Sequence, residues 1–97
     1  MPTYISLINW TDQGIRDSKE TVDRANAAKE LAQRMGGAFT SIYWTVGPYD
    51  VATVVEFPDD ETVTAFLLAI GAQGNIRTTT LRAYTADQMT GIIGKLG

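Results

Sequence analysis

The chain contains neither cysteine nor histidine. Without cysteine it can form no disulfide, no zinc–thiolate site and no thiol nucleophile. Without histidine it lacks the commonest metal ligand and the commonest general base near neutral pH. Any acid–base chemistry must come from Asp, Glu, Lys, Tyr or water, so the sequence favours a non-enzymatic domain over a self-sufficient enzyme. We expect no cofactor and no metal site, with Mg²⁺ or Ca²⁺ on oxygen ligands less strictly excluded than zinc.

Basic residues and long apolar runs are also scarce. The chain has 8 Lys and Arg against 11 Asp and Glu, a formal charge of −3, and no basic run of the kind that nucleic-acid binding needs. No apolar stretch approaches the roughly 20 residues of a membrane span. The opening MPTYISLINWTD lacks the basic segment of a signal peptide and is typical of a strand. We expect a cytoplasmic protein that binds neither nucleic acid nor membrane.

The first third of the chain predicts a strand followed by a helix. Residues 3–10 are rich in β-forming side chains, and both faces of this strand are apolar. Thr11–Arg16 is typical of a turn or a helical start, and a longer helix follows with Asp17 or Ser18 as its N-cap. Gly36-Gly37 ends that helix. Its apolar stripe consists of Val22, Ala25, Ala28, Leu31, Ala32 and Met35.

The remaining elements are a hairpin, a helix, a strand and a tail helix. The β-rich runs 38–46 and 50–57 flank a short break and predict an antiparallel hairpin. Pro58 and the acids Asp59–Glu61 indicate the start of an apolar helix over residues 62–72. Residues 75–84 predict a strand. A capping box of Thr85 and Gln88 begins the last helix, whose stripe is Met89, Ile92, Ile93 and Leu96.

This order predicts one domain over residues 1–97 with an α+β, ferredoxin-like split βαβ fold. Two helices cover one face of a four-stranded antiparallel sheet, and the C-terminal helix follows the βαββαβ unit. The second sheet face then remains apolar and uncovered. We expect a homodimer or higher homo-oligomer formed through this open face.

Three stretches carry a resemblance to a known family: YISLINWTDQG, GGAFTSIYWTVGPYDVATVVEFPDDE and AIGAQGNIRTTTLRAYT. Together they resemble the GYD-domain family of small bacterial proteins over almost the entire chain. The signature is Gly47, Tyr49 and Asp50, with Pro48 inserted. The resemblance implies a dimeric α/β-barrel type of ferredoxin-like domain. It implies no activity, because related barrels include oxygenases, lactone isomerases, haem-handling enzymes and ligand-sensing domains.

The hairpin break Gly47-Pro48-Tyr49-Asp50 offers the first candidate site. Gly47 and Pro48 are explained by turn geometry, since glycine permits an unusual φ and proline fixes one. Asp50 either accepts hydrogen bonds from nearby backbone amides or contacts a ligand. Tyr49 either packs against a neighbouring element or lies against a ligand or subunit. Tyr49 and Asp50 therefore remain ligand-binding candidates.

Aromatic and arginine side chains on the strands form the second candidate group. Aromatic rings with one or two Arg can hold a planar or anionic small molecule. The alternative is that the aromatics fill the core or an interface while the Arg pair with acids such as Glu56 or Asp50. The acids Asp59–Glu61 fit helix N-terminal stabilisation and do not fit a metal site. The candidate residues of this group are Trp10, Tyr43, Trp44, Arg77 and Arg82.

Three functions are compatible with these patterns. The leading one is a self-associating small-molecule-binding or regulatory domain without catalytic activity. The alternatives are a cofactor-independent isomerase or oxygenase acting on a small aromatic or acidic substrate, and a purely structural assembly module. A polar pocket beside the sheet favours either of the first two, whereas a fully packed interior favours the third.

Overall fold

The computed structural model describes residues 1–97 and contains one antiparallel sheet with the strand order β2-β3-β1-β4. The strands are β1 (Thr3–Trp10), β2 (Ala38–Trp44), β3 (Val51–Glu56) and β4 (Ile76–Ala83). The helices are α1 (Asp12–Arg16), α2 (Thr21–Arg34), α3 (Asp60–Gly71) and α4 (Ala86–Gly94), with a 3-10 turn at Ser18–Glu20. The ferredoxin-like α+β prediction is confirmed. No helix combines the length and the apolar character that crossing a membrane requires.

Local capping signals determine most helix ends. The Asp59 carboxylate accepts hydrogen bonds from the Thr62 amide at 2.8 Å and the Thr62 hydroxyl at 2.7 Å, and it caps α3 as expected. The same bonds hold the pKa of Asp59 below its usual value. Thr85 and Gln88 form the expected reciprocal capping box of α4. Gly36, at φ 84°, ends α2 in the left-handed conformation that glycine favours.

The predicted N-cap of α2 is wrong. Asp17 lies between α1 and the 3-10 turn and makes no side-chain cap hydrogen bond. Helix α2 follows Glu20, which makes no side-chain cap hydrogen bond either. A side-chain cap occurs at α1 instead, where the Thr11 hydroxyl accepts from the Gly14 amide at 3.1 Å. Thr11 is also held by long-range contacts: its hydroxyl donates to the Gly74 carbonyl at 2.6 Å, and its amide donates to the Asn75 carbonyl at 3.0 Å. The loop before β4 therefore sets where helical structure begins.

Helices α2 and α3 pack on the same face of the sheet. Phe66 of α3 lies 5.0 Å from Phe57 and 6.1 Å from Phe39 between ring centroids, in the middle of the core. The apolar helix predicted over residues 62–72 is not buried all round, because Leu68 is 70% exposed. The core consists of Tyr4, Ala32, Val55, Phe57, Val63, Phe66 and Ile70.

No helix packs closely against the opposite face of the sheet, which we call the open face. Leu81 pairs with Ile5 on this face and is 48% exposed, and Tyr43 is 66% exposed. Helix α4 likewise packs closely on no other element. Its apolar side chains Met89, Ile93 and Leu96 are exposed. The chain by itself thus leaves two apolar surfaces uncovered.

Candidate functional site

The hairpin turn between β2 and β3 holds its shape through backbone contacts. Gly47 has a φ of 126°, which side chains with a Cβ rarely adopt, and it lies in open space with no atom near its missing Cβ. The Thr45 hydroxyl donates to the Tyr49 carbonyl at 2.6 Å across the turn. Pro48 is exposed and Tyr49 is half-buried. Gly47 and Pro48 therefore have a sufficient explanation in turn geometry.

Asp50 connects this turn to the end of β1. Its carboxylate accepts a hydrogen bond from the Trp10 amide at 2.9 Å, and its own amide donates to the Ile8 carbonyl at 2.9 Å. The amide that Asp50 binds is thus far away in sequence rather than within the turn. A carboxylate–amide bond of this kind is charge-assisted and stronger than a neutral one. Asp50 accordingly positions Trp10.

Beneath α2 lies a cavity of about 200 Å³, which we call the α2 cavity. Its floor is the helix-facing side of the sheet, including Ile8 and Val51, and its roof is α2. The roof carries Ala25 and Ala28, whose single methyl groups cannot fill the space that longer side chains would occupy. The apolar stripe predicted for α2 faces the sheet at these positions, and its small residues leave the cavity.

Two indoles line the α2 cavity where β1 and β2 end. They belong to Trp10 and Trp44, which are the two tryptophans of the chain. The indole Nε1 of Trp44 donates to the Thr21 hydroxyl at 2.9 Å, and this bond links the end of β2 to the first turn of α2. Trp44 remains 41% exposed, so the cavity opens to solvent beside it.

The polar lining of the α2 cavity includes two cations and no carboxylate. Arg24 is half-buried, and its guanidinium donates to the Asp17 carbonyl at 2.7 Å and the Gly14 carbonyl at 3.2 Å. Arg34 lines the cavity from an exposed position on the last turn of α2. Thr53 adds a hydroxyl from a residue that is only 3% exposed. The cavity is therefore locally positive in a chain whose formal charge is −3.

A second polar cluster lies at the opposite end of β1. The buried Tyr4 hydroxyl donates to the Asp60 carboxylate, and burial followed by this bond raises the pKa of Tyr4 to about 12. The Arg82 guanidinium lies 5.6 Å from the Tyr4 ring centroid and 4.5 Å from that of Tyr84, and donates to the Thr3 carbonyl at 3.2 Å. Arg82 thus stacks on aromatic rings, and the sequence-based alternative that it pairs with an acid is wrong.

The structure divides the predicted site residues among different places. Trp10 and Trp44 meet in the α2 cavity, whereas Tyr49 and Asp50 lie outside its lining. Tyr43 and Arg77 are exposed on the open face. No group of three or more Asp or Glu is placed to hold a metal ion.

Sequence reasoning missed several of the cavity's polar residues. Arg24 and Arg34 were not among the predicted site residues, and the available signal was the alanines in the stripe of α2 beside them. The missed polar lining residues are Thr21, Arg24, Arg34, Thr53, Gln73 and Asn75.

Comparison with known proteins settles the family. The sequence profile of the GYD domain matches residues 4–93. The chain belongs to the GYD-domain family. This GYD domain is 34% identical over 84 residues to a "glutamine synthetase and cystathionine beta-lyase binding protein" of Thermus thermophilus, with 86% of this chain and 88% of that protein covered. Its fold is similar to the crystal structure of TTHA0845 from Thermus thermophilus, with a TM-score of 0.57, 25% identity, and coverage of 89% and 96% of the two chains.

Proposed function

We propose that this GYD domain is a self-associating, non-catalytic domain that binds a small molecule in the α2 cavity and regulates another protein. The lining of the cavity carries this proposal. It combines two tryptophans and two arginines with residues that carry hydroxyl and amide side chains. These groups hold a ligand by stacking and hydrogen bonding, and none of them exchanges protons readily near neutral pH.

A protein is the expected macromolecular partner. The relative of Thermus thermophilus is named as a binding protein of two enzymes, and its similarity extends over most of both chains. The net charge of −3 favours a protein partner over nucleic acid. We therefore propose that the domain regulates an enzyme by docking on it, and that the bound small molecule controls this docking.

Self-association is supported by the amount of surface that the single chain exposes. The accessible surface is 6287 Å², whereas a compact monomer of 10.6 kDa exposes roughly 5,500 Å². The excess of about 800 Å² equals the area that one partner buries in a standard interface. The radius of gyration of 14.6 Å also exceeds the ~12.5 Å typical of 97 residues. A second copy that covers the open face and α4 buries this excess surface.

Matched leucine variants test the dimer. Leu81 is 48% exposed on the open face, and Leu68 is 70% exposed on α3. Leu81→Glu places a charge in the proposed interface, and we expect a monomer by light scattering at low micromolar concentration. Leu68→Glu, the control, keeps the assembly of the unmodified protein. A monomeric unmodified protein contradicts self-association, and a dimer that survives Leu81→Glu contradicts the open face as its interface.

Cavity filling tests the small-molecule site. Ala28 lines the cavity, and Ala69 is an exposed alanine of α3. In native mass spectrometry of protein purified from its own host, we expect a bound small molecule in the unmodified protein and in Ala69→Phe, and none in Ala28→Phe. Conversion of the bound molecule by the pure protein supports the isomerase or oxygenase alternative. If neither the unmodified protein nor Ala69→Phe carries a molecule, the structural-module alternative is supported.

A further inference from the structure

We propose that the Arg24 end of the α2 cavity binds a small organic carboxylate with one flat apolar ring. The ring lies against the indoles of Trp10 and Trp44, and the carboxylate binds the Arg24 guanidinium. This inference rests on the proposed function, and it adds the chemical class of the ligand and the end of the cavity that recognises it.

The size of the cavity limits the ligand to a single ring. Pockets for drug-sized ligands occupy roughly 300–1,000 Å³, and the α2 cavity is smaller, at about 200 Å³. An apolar cavity of about 150 Å³ is known to accommodate benzene. One ring with a short polar substituent therefore fits the available space.

The spacing of the two arginines selects one end. Arg24 and Arg34 are ten positions apart on α2, or about 15 Å along the helix axis, so they lie toward opposite ends of the cavity. Thr21 lies one turn before Arg24 and binds the Trp44 indole, so Trp44 and Arg24 share an end of the cavity. Trp10 ends β1 at the same edge of the sheet, because β1 and β2 both run antiparallel to β3. At this end of the cavity, one ligand can place its ring against the tryptophans and its carboxylate on Arg24.

The surroundings of Arg24 leave its charge uncompensated. Its guanidinium donates to two backbone carbonyls, which fix its position without neutralising it. A guanidinium has five N–H donors in a planar fork that matches a carboxylate, and the remaining donors are available. Arg24 is half-buried, whereas Arg34 is exposed. A ligand anion is therefore less screened by water at Arg24 than at Arg34.

Tryptophan fluorescence measures this binding directly, because both tryptophans of the chain line the cavity. The probes are phenylacetate, its neutral analogue phenylacetamide and the cation benzylamine, titrated at one ionic strength. A charge-assisted hydrogen bond is roughly twice as strong as one to a neutral acceptor, so we expect phenylacetate to bind roughly ten-fold more tightly than phenylacetamide, which keeps a carbonyl acceptor. Benzylamine binds most weakly of the three.

Substitutions at three arginines locate the anion. Arg24→Gln reduces phenylacetate affinity to that of phenylacetamide, and Arg24→Lys, which keeps the charge and loses the fork, retains part of the preference. Arg16→Gln removes an exposed arginine of α1 that lies outside the cavity lining, and it leaves the preference unchanged. Arg34→Gln tests the other end: if it abolishes the preference while Arg24→Gln does not, the assignment to Arg24 is wrong.

The outcomes separate this inference from the proposed function. Equal affinity of the unmodified protein for all three probes refutes the carboxylate class and leaves the small-molecule site standing. A preference for benzylamine refutes it in the same way. Failure of every probe to change fluorescence or release heat refutes the ligand class, and the proposed function also fails if the protein from its host carries no molecule. If Arg24→Gln does not fold, the affinities of Arg24→Lys and of the unmodified protein for phenylacetate and phenylacetamide still test whether Arg24 binds a carboxylate.

Discussion

Replacing Asp50 by alanine removes the carboxylate that accepts the Trp10 amide at 2.9 Å. The change leaves the backbone bonds of this residue in place. The Asp50 amide still donates to the Ile8 carbonyl at 2.9 Å, and the Thr45 amide still donates to the Asp50 carbonyl at 2.9 Å. The hairpin therefore stays attached to β1, and Asp50→Ala isolates the energy of one side-chain contact.

The expected loss follows from the charge on the acceptor. A hydrogen bond to a charged group contributes about 1.5–3 kcal/mol to stability, and we expect Asp50→Ala to lower the free energy of unfolding by about 2 kcal/mol. For a domain of this size that corresponds to a fall in Tm of roughly 8–16 °C. Asp50→Asn keeps a neutral carbonyl acceptor, whose net contribution is about 0.5–1.5 kcal/mol, so its loss is about 1 kcal/mol.

Urea denaturation at one protein concentration measures these differences, with tryptophan fluorescence as the signal. Glu30→Ala is the control, because it removes one negative charge from an exposed position on α2. We expect the loss to increase from Glu30→Ala to Asp50→Asn to Asp50→Ala. If Asp50→Ala and Glu30→Ala differ by less than about 0.5 kcal/mol, a typical surface effect, then the Trp10 contact contributes no measurable stability.

Four further substitutions test the backbone and the buried tyrosine. Gly47→Val places a Cβ at a φ of 126° in open space, so we expect a loss of about 1–3 kcal/mol from backbone strain alone; an unchanged urea midpoint contradicts this. Gly14→Ala places a Cβ 2.0 Å from the Asn75 carbonyl oxygen, so it should lower the free energy of unfolding more than Gly47→Val does. Gly91→Ala lies in open space on α4 and should raise the free energy of unfolding by about 1 kcal/mol through helix propensity. Melting curves in which Gly14→Ala is more stable than Gly91→Ala contradict both expectations. Because the folded-state pKa of Tyr4 is raised from 10.0 to about 12, its stabilising effect is complete below pH 10 and is lost as the pH rises to 12. Tyr4→Phe should lack this decline, and equal declines in both proteins rule out the explanation.

Local sequence signals predicted much of the fold. The Asp59 cap, the Thr85–Gln88 box and the Gly36 helix end each depend on residues within one helical turn, and the structure contains all three. The hairpin and the alternation of the strands are local in the same sense, and with the helices they suffice for the ferredoxin-like order. The prediction of the α2 cap failed because the 3-10 turn Ser18–Glu20 leads directly into α2, and Glu20 before the helix makes no side-chain cap hydrogen bond.

The sequence alone could not predict the candidate site, because the site depends on distances between side chains that are far apart in the chain. Trp10 and Trp44 were expected to be candidates as aromatic residues near strand ends, but only the folded chain places both indoles in one cavity. The helical pattern of α2 does not identify Arg24 as a site residue, because it does not reveal how far the helix lies from the sheet. That separation results from the packing of the whole core, while the small side chains of Ala25 and Ala28 leave the space beneath α2 unfilled. Local residue patterns thus specified the elements and their order, whereas tertiary packing selected which side chains surround an open space.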